Sequence, residues 1–455
     1  MTPILPRWRA DLRLGTRIAV MRAGGLALAL RGDPVARLMH RPWRLDPYPT
    51  YARLRADAAA AGGVARSRTG ISAVATHETC TAVLRDRRFG VRLADGRMPF
   101  DPTSDTERSG AGADGRDAST PTSEQDPTDP GTALIEPIDL SLLALDPPDH
   151  TRLRRLAQPT FAPKRLEQYR QSARKVTGRL LDDAAARGTF DLTADLAAPL
   201  PISVIAELLA IPDVDTPRFA RWGRALGAAL DGVRSVRHAH ALARATADLR
   251  LLFADLVERR RADPGEDVIS QLVHALDEET VTLGELVSLA QLLLVAGFET
   301  TTNLVGNAVR ALQASGSWDD LVADPGIAPA VVEETLRYDP PVQLTARFAH
   351  EDVEIGGRRL RKDSGVLVLL ASAGRDPAAH ADPDRFDVHR EQTTAHLAFS
   401  GGVHYCLGAA LARMEGEVAL EMLAERMPRL RPAGRMRPRV ATVLRGPQRF
   451  PVRVG

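Results

Sequence analysis

Residues 282–315 carry one unbroken helical pattern, and that stretch limits what the rest of the chain can be. Thr282-x-x-Glu285 is a capping box that fixes its start. A helix running from there to Ser315 is roughly 50 Å long at about 1.5 Å per residue, enough to cross a whole domain. Its central part, 292–297, is apolar all round, so the helix is expected inside a body and not on its surface. The 455 residues suffice for one large core or for two or three ordinary domains.

Other patterns agree with a mainly α fold with small β regions. Leu166, Tyr169, Ala173, Val176 and Leu180 keep a helical spacing that Gly188 stops. Leu242, Ala245, Leu249, Leu252 and Leu256 repeat it and end in Arg259, Arg260 and Arg261, cations that complement a helix C-terminus. Residues 64–75 read as a short hairpin. Val353, Ile355, the Gly356-Gly357 turn and 366–370 read as a second small β region. Between 101 and 131 the chain is Asp, Ser, Thr, Pro and Gly, with eight acids against Arg108 and Arg116; such composition buries little and is expected to form a mobile loop or lid.

Charge and cysteine usage exclude several classes. The net charge is +2 and no continuous basic run occurs, which argues against bulk nucleic-acid binding. Cys80 and Cys406 are the only cysteines, so neither a disulfide framework nor a CxxC metal site can form. The apolar stretch 18–30 is broken by Arg22 and the Gly24-Gly25 pair and falls short of the ~20 residues of a membrane span. Residues 1–45 form a basic arm, expected to pack on the body, with peripheral contact to an anionic surface as the alternative.

Chemistry concentrates in the run Phe399-Ser400-Gly401-Gly402-Val403-His404-Tyr405-Cys406-Leu407-Gly408. A lone cysteine is usually a small buried hydrophobe, and Cys80 fits that reading. Around Cys406 the glycines let backbone approach a flat partner and turn N–H groups toward one point. A thiolate ringed by such donors has a lowered pKa and is a soft metal ligand. With no second sulfur, a porphyrin would have to fill the metal's other positions.

That run resembles the haem-binding loop of the cytochrome P450 family, Phe-Gly-x-Gly-x-His/Arg-x-Cys-x-Gly, at Phe399, Gly402, His404, Cys406 and Gly408, and departs from it at Ser400. Three further stretches follow the family's order. Glu334-Thr335-Leu336-Arg337 matches Glu-x-x-Arg, a structural pair implied to meet 383–386. Ala296-Gly297-Phe298-Glu299-Thr300-Thr301 matches the oxygen-binding turn of the long helix, although alone it reads more readily as a buried helix whose threonine bonds its own i−4 carbonyl. The run from Asp146 to Arg155 matches the helix start after the lid loop. The resemblance covers residues 46–455, read as one catalytic domain of the soluble, actinobacterial-looking type, with 101–131 as an insertion in its B–C lid loop.

The resemblance implies haem b held by Cys406, whose thiolate favours O–O cleavage, and a monooxygenase that inserts one oxygen atom from O2. It implies that His150, Arg154, Arg347 and His404 meet the propionates, groups that singly would read as solvated surface charges. Thr300 with Glu299 would deliver protons, and Gly297 would let the helix open. Leu293, Ala296, Val342, Leu344 and Val443, the last in a turn with Leu444, would face an apolar substrate of the polyketide, terpenoid or peptide kind. No GxGxxG follows a strand, so electrons are expected from a ferredoxin or flavodoxin-type donor and an NAD(P)H-dependent reductase, steered by Arg152, Arg155 and Arg413. A cytoplasmic monomer is expected. The competing readings are a peroxide-driven peroxygenase and a haem-thiolate sensor without turnover.

Overall fold

The computed structural model describes residues 7–60, 62–99, 141–212, 214–391 and 393–455. The acidic insertion at 101–131 lies outside the described residues.

Helices dominate: α1 (Arg7–Leu30), α2 (Pro34–Met39), α3 (Asp149–Ala157), α4 (Pro163–Arg187), α5 (Pro199–Leu208), α6 (Thr216–Ala229), α7 (Val236–Ala262), α8 (Leu283–Ser315), α9 (Ala328–Tyr338) and α10 (Ala409–Arg426) form the main body. α8 is the expected rod. Its capping box is intact: Glu285 N–H donates to Thr282 Oγ1 at 3.2 Å, and Thr282 N–H donates to Glu285 Oε2 at 2.9 Å. Gly316, at φ +82, ends it with a left-handed residue. By length and composition α8 could cross a membrane, yet half of its apolar window is buried inside the protein. Leu286, Leu289, Leu294 and Val305 pack with Leu200, Ile205 and Leu249 in one core.

The expectation that 292–297 is buried all round is only partly met. Leu294 is fully buried, but Leu292, Val295 and Gly297 are half-buried and Ala296 is exposed. At that turn α8 stops being a core helix and becomes the wall of a cleft. α10, which follows the Cys406 loop, packs against α4, α9 and α8.

Small strands close one side. β1 (Val64–Arg66) and β2 (Ser72–Val74) form the expected hairpin. β3 (Phe89–Gly90), β4 (Thr345–Ala349) and β7 (Gly365–Val368) join them in one sheet, while β5 (Val353–Ile355) and β6 (Arg358–Leu360) form a separate two-stranded hairpin. β7 does not belong to a separate second β region: it runs parallel to β2, Ser72 opposite Val366, in the order β1-β2-β7-β4-β3. Its side chains Val366 and Val368 are fully buried, and only a neighbour on each side satisfies such a strand.

Candidate active site

The Cys406 loop is folded tightly against its surroundings. Cys406 N–H donates to Phe399 O at 2.9 Å, closing the turn. Gly402 sits at φ +64, and a Cβ there would come within 2.2 Å of Leu84 O, so only glycine fits. Ser400 also adopts a left-handed backbone, φ +63, without glycine's freedom. This strain costs an L-residue about 1–2 kcal/mol. Ser400→Gly is therefore expected to stabilise the protein by up to about 1 kcal/mol after the extra entropy of glycine in the unfolded chain is counted. A denaturant midpoint that falls would show that the Ser400 hydroxyl matters more than the strain.

Cys406 is exposed, yet protein surrounds it on most sides, as at the floor of a cleft. Desolvation pushes its thiol pKa up, against the Gly408 N–H and the charges of Arg154 and Arg413. The expected lowering by ring donors is thus reversed: the nearby protein removes more hydration than one N–H and two cations restore. Cys80 is the buried hydrophobe expected, its thiol 3.4 Å from Val74 O.

Four cationic or donor groups gather beside this loop, and little of their capacity is used. His150 is 2% exposed and its Nδ1 has no partner. His404 Nε2 lies 3.5 Å from Asp146 Oδ1 and makes no hydrogen bond, and the two imidazoles sit 4.4 Å apart. Arg347 is 4% exposed and donates only to neutral oxygens, Thr345 Oγ1 at 3.0 Å, Ala346 O at 2.8 Å and Ser400 Oγ at 3.4 Å. Burial, and then His404 and Arg154, push His150 down to about 4. Burial likewise lowers Arg347 to about 10, with Asp146 as the opposing charge. Arg154 is lowered by burial. Asp146 cannot serve them all: despite its burial, it is held down at about 2 by His404 and the N–H groups of Val91 and Arg92. Buried guanidinium charge that meets only neutral oxygens, beside imidazoles with a free ring nitrogen, calls for an anion. The two carboxylates of a haem fit that deficit, and Cys406 fits as the axial sulfur.

Above the loop, Ala296 is exposed and Thr300 half-buried on one face of α8. Thr300 Oγ1 donates to Ala296 O at 2.7 Å, the local bond that a threonine in any helix can make. Glu299 does not share that face, since neighbours on a helix point about 100° apart. It is 5% exposed and paired with Arg439, a residue the sequence reading missed. Burial raises the Glu299 pKa, while Arg439 and Arg224 oppose it. Gly297 does not open the helix, which continues unbroken; a Cβ there would meet Ile205 Cδ1 at 2.9 Å, so this glycine lets α5 pack closely.

Of the expected substrate contacts, Ala296, Val342 and Val443 keep accessible surface, and Val342 bridges to Leu444. Leu293 and Leu344 are placed differently. Leu293 is 8% exposed within the main core, and Leu344 is 6% exposed among Val35, Leu38 and Tyr51, so packing accounts for both. Two of the three expected steering cations are ion-paired within the protein. Arg152 donates to Glu285, at 2.5 Å, and to Asp149; Arg413 donates to Glu333 at 2.6 Å and stacks over Phe399. Arg155 alone of the three has no ion pair among the described residues.

The structural pair is as expected. Arg337 Nε donates to Glu334 Oε2 and its Nη2 to Oε1, each at 2.7 Å, with both side chains fully buried. Arg337 also donates to Pro383 O at 2.8 Å, Arg385 O at 2.9 Å and Gly374 O at 2.7 Å, which locks 383–386 to α9.

A single soft ligand under a helix wall, beside donors that lack an anion, belongs to a haem-thiolate protein. The family model for cytochrome P450 matches residues 316–443. The chain is 38% identical over 432 residues to the putative cytochrome P450 140 of Mycobacterium tuberculosis, covering 93% of each chain. It is 41% identical over 315 residues to 6-deoxyerythronolide B hydroxylase of Saccharopolyspora erythraea, covering 68% of this chain and 76% of that one. Its fold is similar to the crystal structure of Mycobacterium smegmatis CYP164A2 with econazole bound, with a TM-score of 0.77 and 36% identity over 92% of this chain and 99% of that one. The chain belongs to the cytochrome P450 family and is a haem-thiolate monooxygenase.

Proposed function

We propose that Cys406 ligates the iron of haem b, that His150, Arg154, Arg347 and His404 hold the propionates, and that the enzyme tailors an apolar secondary metabolite. The observation that carries this reading is a buried cluster beside one accessible cysteine: His150 Nδ1 without a hydrogen bond among the described residues, His404 facing Asp146 alone, and an Arg347 guanidinium that meets only neutral oxygens. Phe399, Gly402 and Gly408 shape the loop that presents the thiol, Ala296 sets how close α8 stands over it, and Gly297 holds that turn against α5. When bound, the haem supplies activation of O2 and insertion of one oxygen atom into a C–H or C=C bond, the second atom leaving as water.

The protein's own part is to bind substrate, exclude bulk water and move protons. Thr300 is the last proton carrier in this reading. Its hydroxyl is spent on Ala296 O, so it must turn from that carbonyl to donate into the cleft, while its lone pairs can accept from water. Glu299 resupplies the proton, and Arg439 holds its carboxylate until it swings toward Thr300. Thr300→Ala is expected to lower product formed per O2 consumed severalfold, with the balance appearing as hydrogen peroxide and the resting spectrum unchanged. An unaltered ratio would remove Thr300 from proton delivery.

Residues 46–455 form the catalytic domain in this reading. The substrate is small to medium in size, meeting Ala296, Val342 and Val443, of the polyketide, terpenoid or peptide class. The relative that hydroxylates 6-deoxyerythronolide B favours the first of these. A ferredoxin or flavodoxin-type donor, reduced by an NAD(P)H-dependent reductase, docks through the exposed Arg155, and the enzyme works as a cytoplasmic monomer. Optical titration of the ferric protein with macrolide, terpenoid, fatty-acid and cyclic-peptide compounds tests this. A Soret shift to high spin with one class supports it; a protein purified without haem sinks it.

A further inference from the structure

α1 carries a surface that catalysis does not use. The helix is fixed to the body along one side only: Ile18 is 6% exposed and Ala29 fully buried, Gly25 lies against the His40 ring, and Asp11 pairs with His240 of α7 at 3.0 Å. At about 100° per residue, Leu12, Ala19, Val20, Ala23, Ala27 and Leu30 fall together on the opposite side. All six are exposed, Leu12, Val20 and Leu30 at 63%, 67% and 68%. Thr16, on the same side, turns its hydroxyl inward to Leu12 O at 2.9 Å. No acid interrupts it.

The rim is cationic. Arg13 and Arg17 flank the crest, exposed and without an ion pair among the described residues, and Arg31 follows on the same side. Residues 1–45 hold nine arginines and two acids, Asp11 and Asp33. Both acids are engaged within the protein, Asp11 with His240 and Asp33 with Ala36 N–H, Ser67 Oγ and Arg68 N–H. An apolar crest with an uncompensated basic rim matches an anionic lipid interface in both polarity and sign. A soluble acidic partner would satisfy the rim and leave Leu12, Val20 and Leu30 in water. A second copy of this chain would set like charges against one another.

We propose that α1 is an interfacial helix that seats the enzyme on an anionic lipid surface, its axis in the plane of the headgroups, Leu12, Val20 and Leu30 entering the acyl boundary and Arg13 and Arg17 meeting lipid phosphates. This assignment does not depend on the haem chemistry. The test is co-flotation of the full-length holoprotein with vesicles of phosphatidylcholine alone and of phosphatidylcholine with phosphatidylglycerol in equal parts. Binding to the anionic vesicles is expected to be at least tenfold tighter, and to weaken as salt rises. Leu12→Ser, Val20→Ser and Leu30→Ser combined should abolish it, as should Arg13→Glu with Arg17→Glu, while the haem spectrum and helical circular dichroism stay unchanged. Equal binding to both vesicles, no binding to either, or full binding by the triple variant overturns the proposal. So does a concentration-dependent dimer in sedimentation that the triple variant loses without any lipid binding by the parent protein.

Discussion

Cys406→Ala is expected to reduce monooxygenation by well over about 10²-fold, the scale on which enzymes lose rate when a group acting at the reacting centre is deleted. No neighbouring residue can replace the sulfur. Cys80, the other cysteine, is fully buried among Val64, Val74 and Val366 and is bonded to Val74 O. Among the described residues no group of three or more histidines, cysteines or carboxylates could hold a metal instead. Because Cys406 is exposed and its turn is closed by a backbone N–H that alanine keeps, the variant should keep its fold, so lost turnover can be read as lost chemistry. Product formation with a surrogate ferredoxin system, measured beside haem content and circular dichroism, checks this. Turnover that persists in a folded, cysteine-free variant would defeat the ligand assignment.

Arg337→Ala is expected to have the largest effect on folding, a loss of about 3–5 kcal/mol, the usual cost of breaking a buried ion pair by removing one partner. The guanidinium satisfies Glu334 and three carbonyls, those of Gly374, Pro383 and Arg385. After truncation Glu334 keeps only Asp387 N–H and Arg390. Buried carbonyls left without donors add to the deficit. Against a total stability of about 5–15 kcal/mol, little folded protein should accumulate. Arg337→Lys should not rescue it, since an ammonium lacks the planar fork that reaches five acceptors at once. Soluble yield and urea midpoints measure the effect; a midpoint close to that of the parent protein would mean the carbonyls find other donors.

Much of this architecture was legible in the sequence because local signals were strong. The capping box at Thr282 and Glu285, the glycine at 188, and the Arg-rich end of α7 each mark a helix terminus by its own chemistry. The Glu334–Arg337 pair is likewise local, three residues apart on one helix. What escaped the sequence depends on contacts between distant segments. Val366–Val368 reads as part of a β region near 353–360, and only the structure pairs it with residues near 72. Glu299 stands next to Thr300 in the sequence, but its partner, Arg439, lies 140 residues away. Gly297 looks like a place for a helix to open, yet Ile205 occupies the space where its side chain would be. Arg152 and Arg413 read as free surface cations because nothing in their own neighbourhood announces Glu285 or Glu333.

The placement of β7 has a consequence for how the protein is made. Ser72 finds its partner only when Val366 exists, late in the chain. At about 5–20 residues per second, the ribosome leaves roughly 15–60 s between the two. During that interval the outer edge of the nascent β1–β2 hairpin has no strand to take its N–H and C=O groups, and an isolated hairpin is marginal in water. Translation speed, and whatever shields residues 72–74 until the last fifth of the polypeptide emerges, therefore govern how much of each synthesis reaches the native state rather than an aggregate.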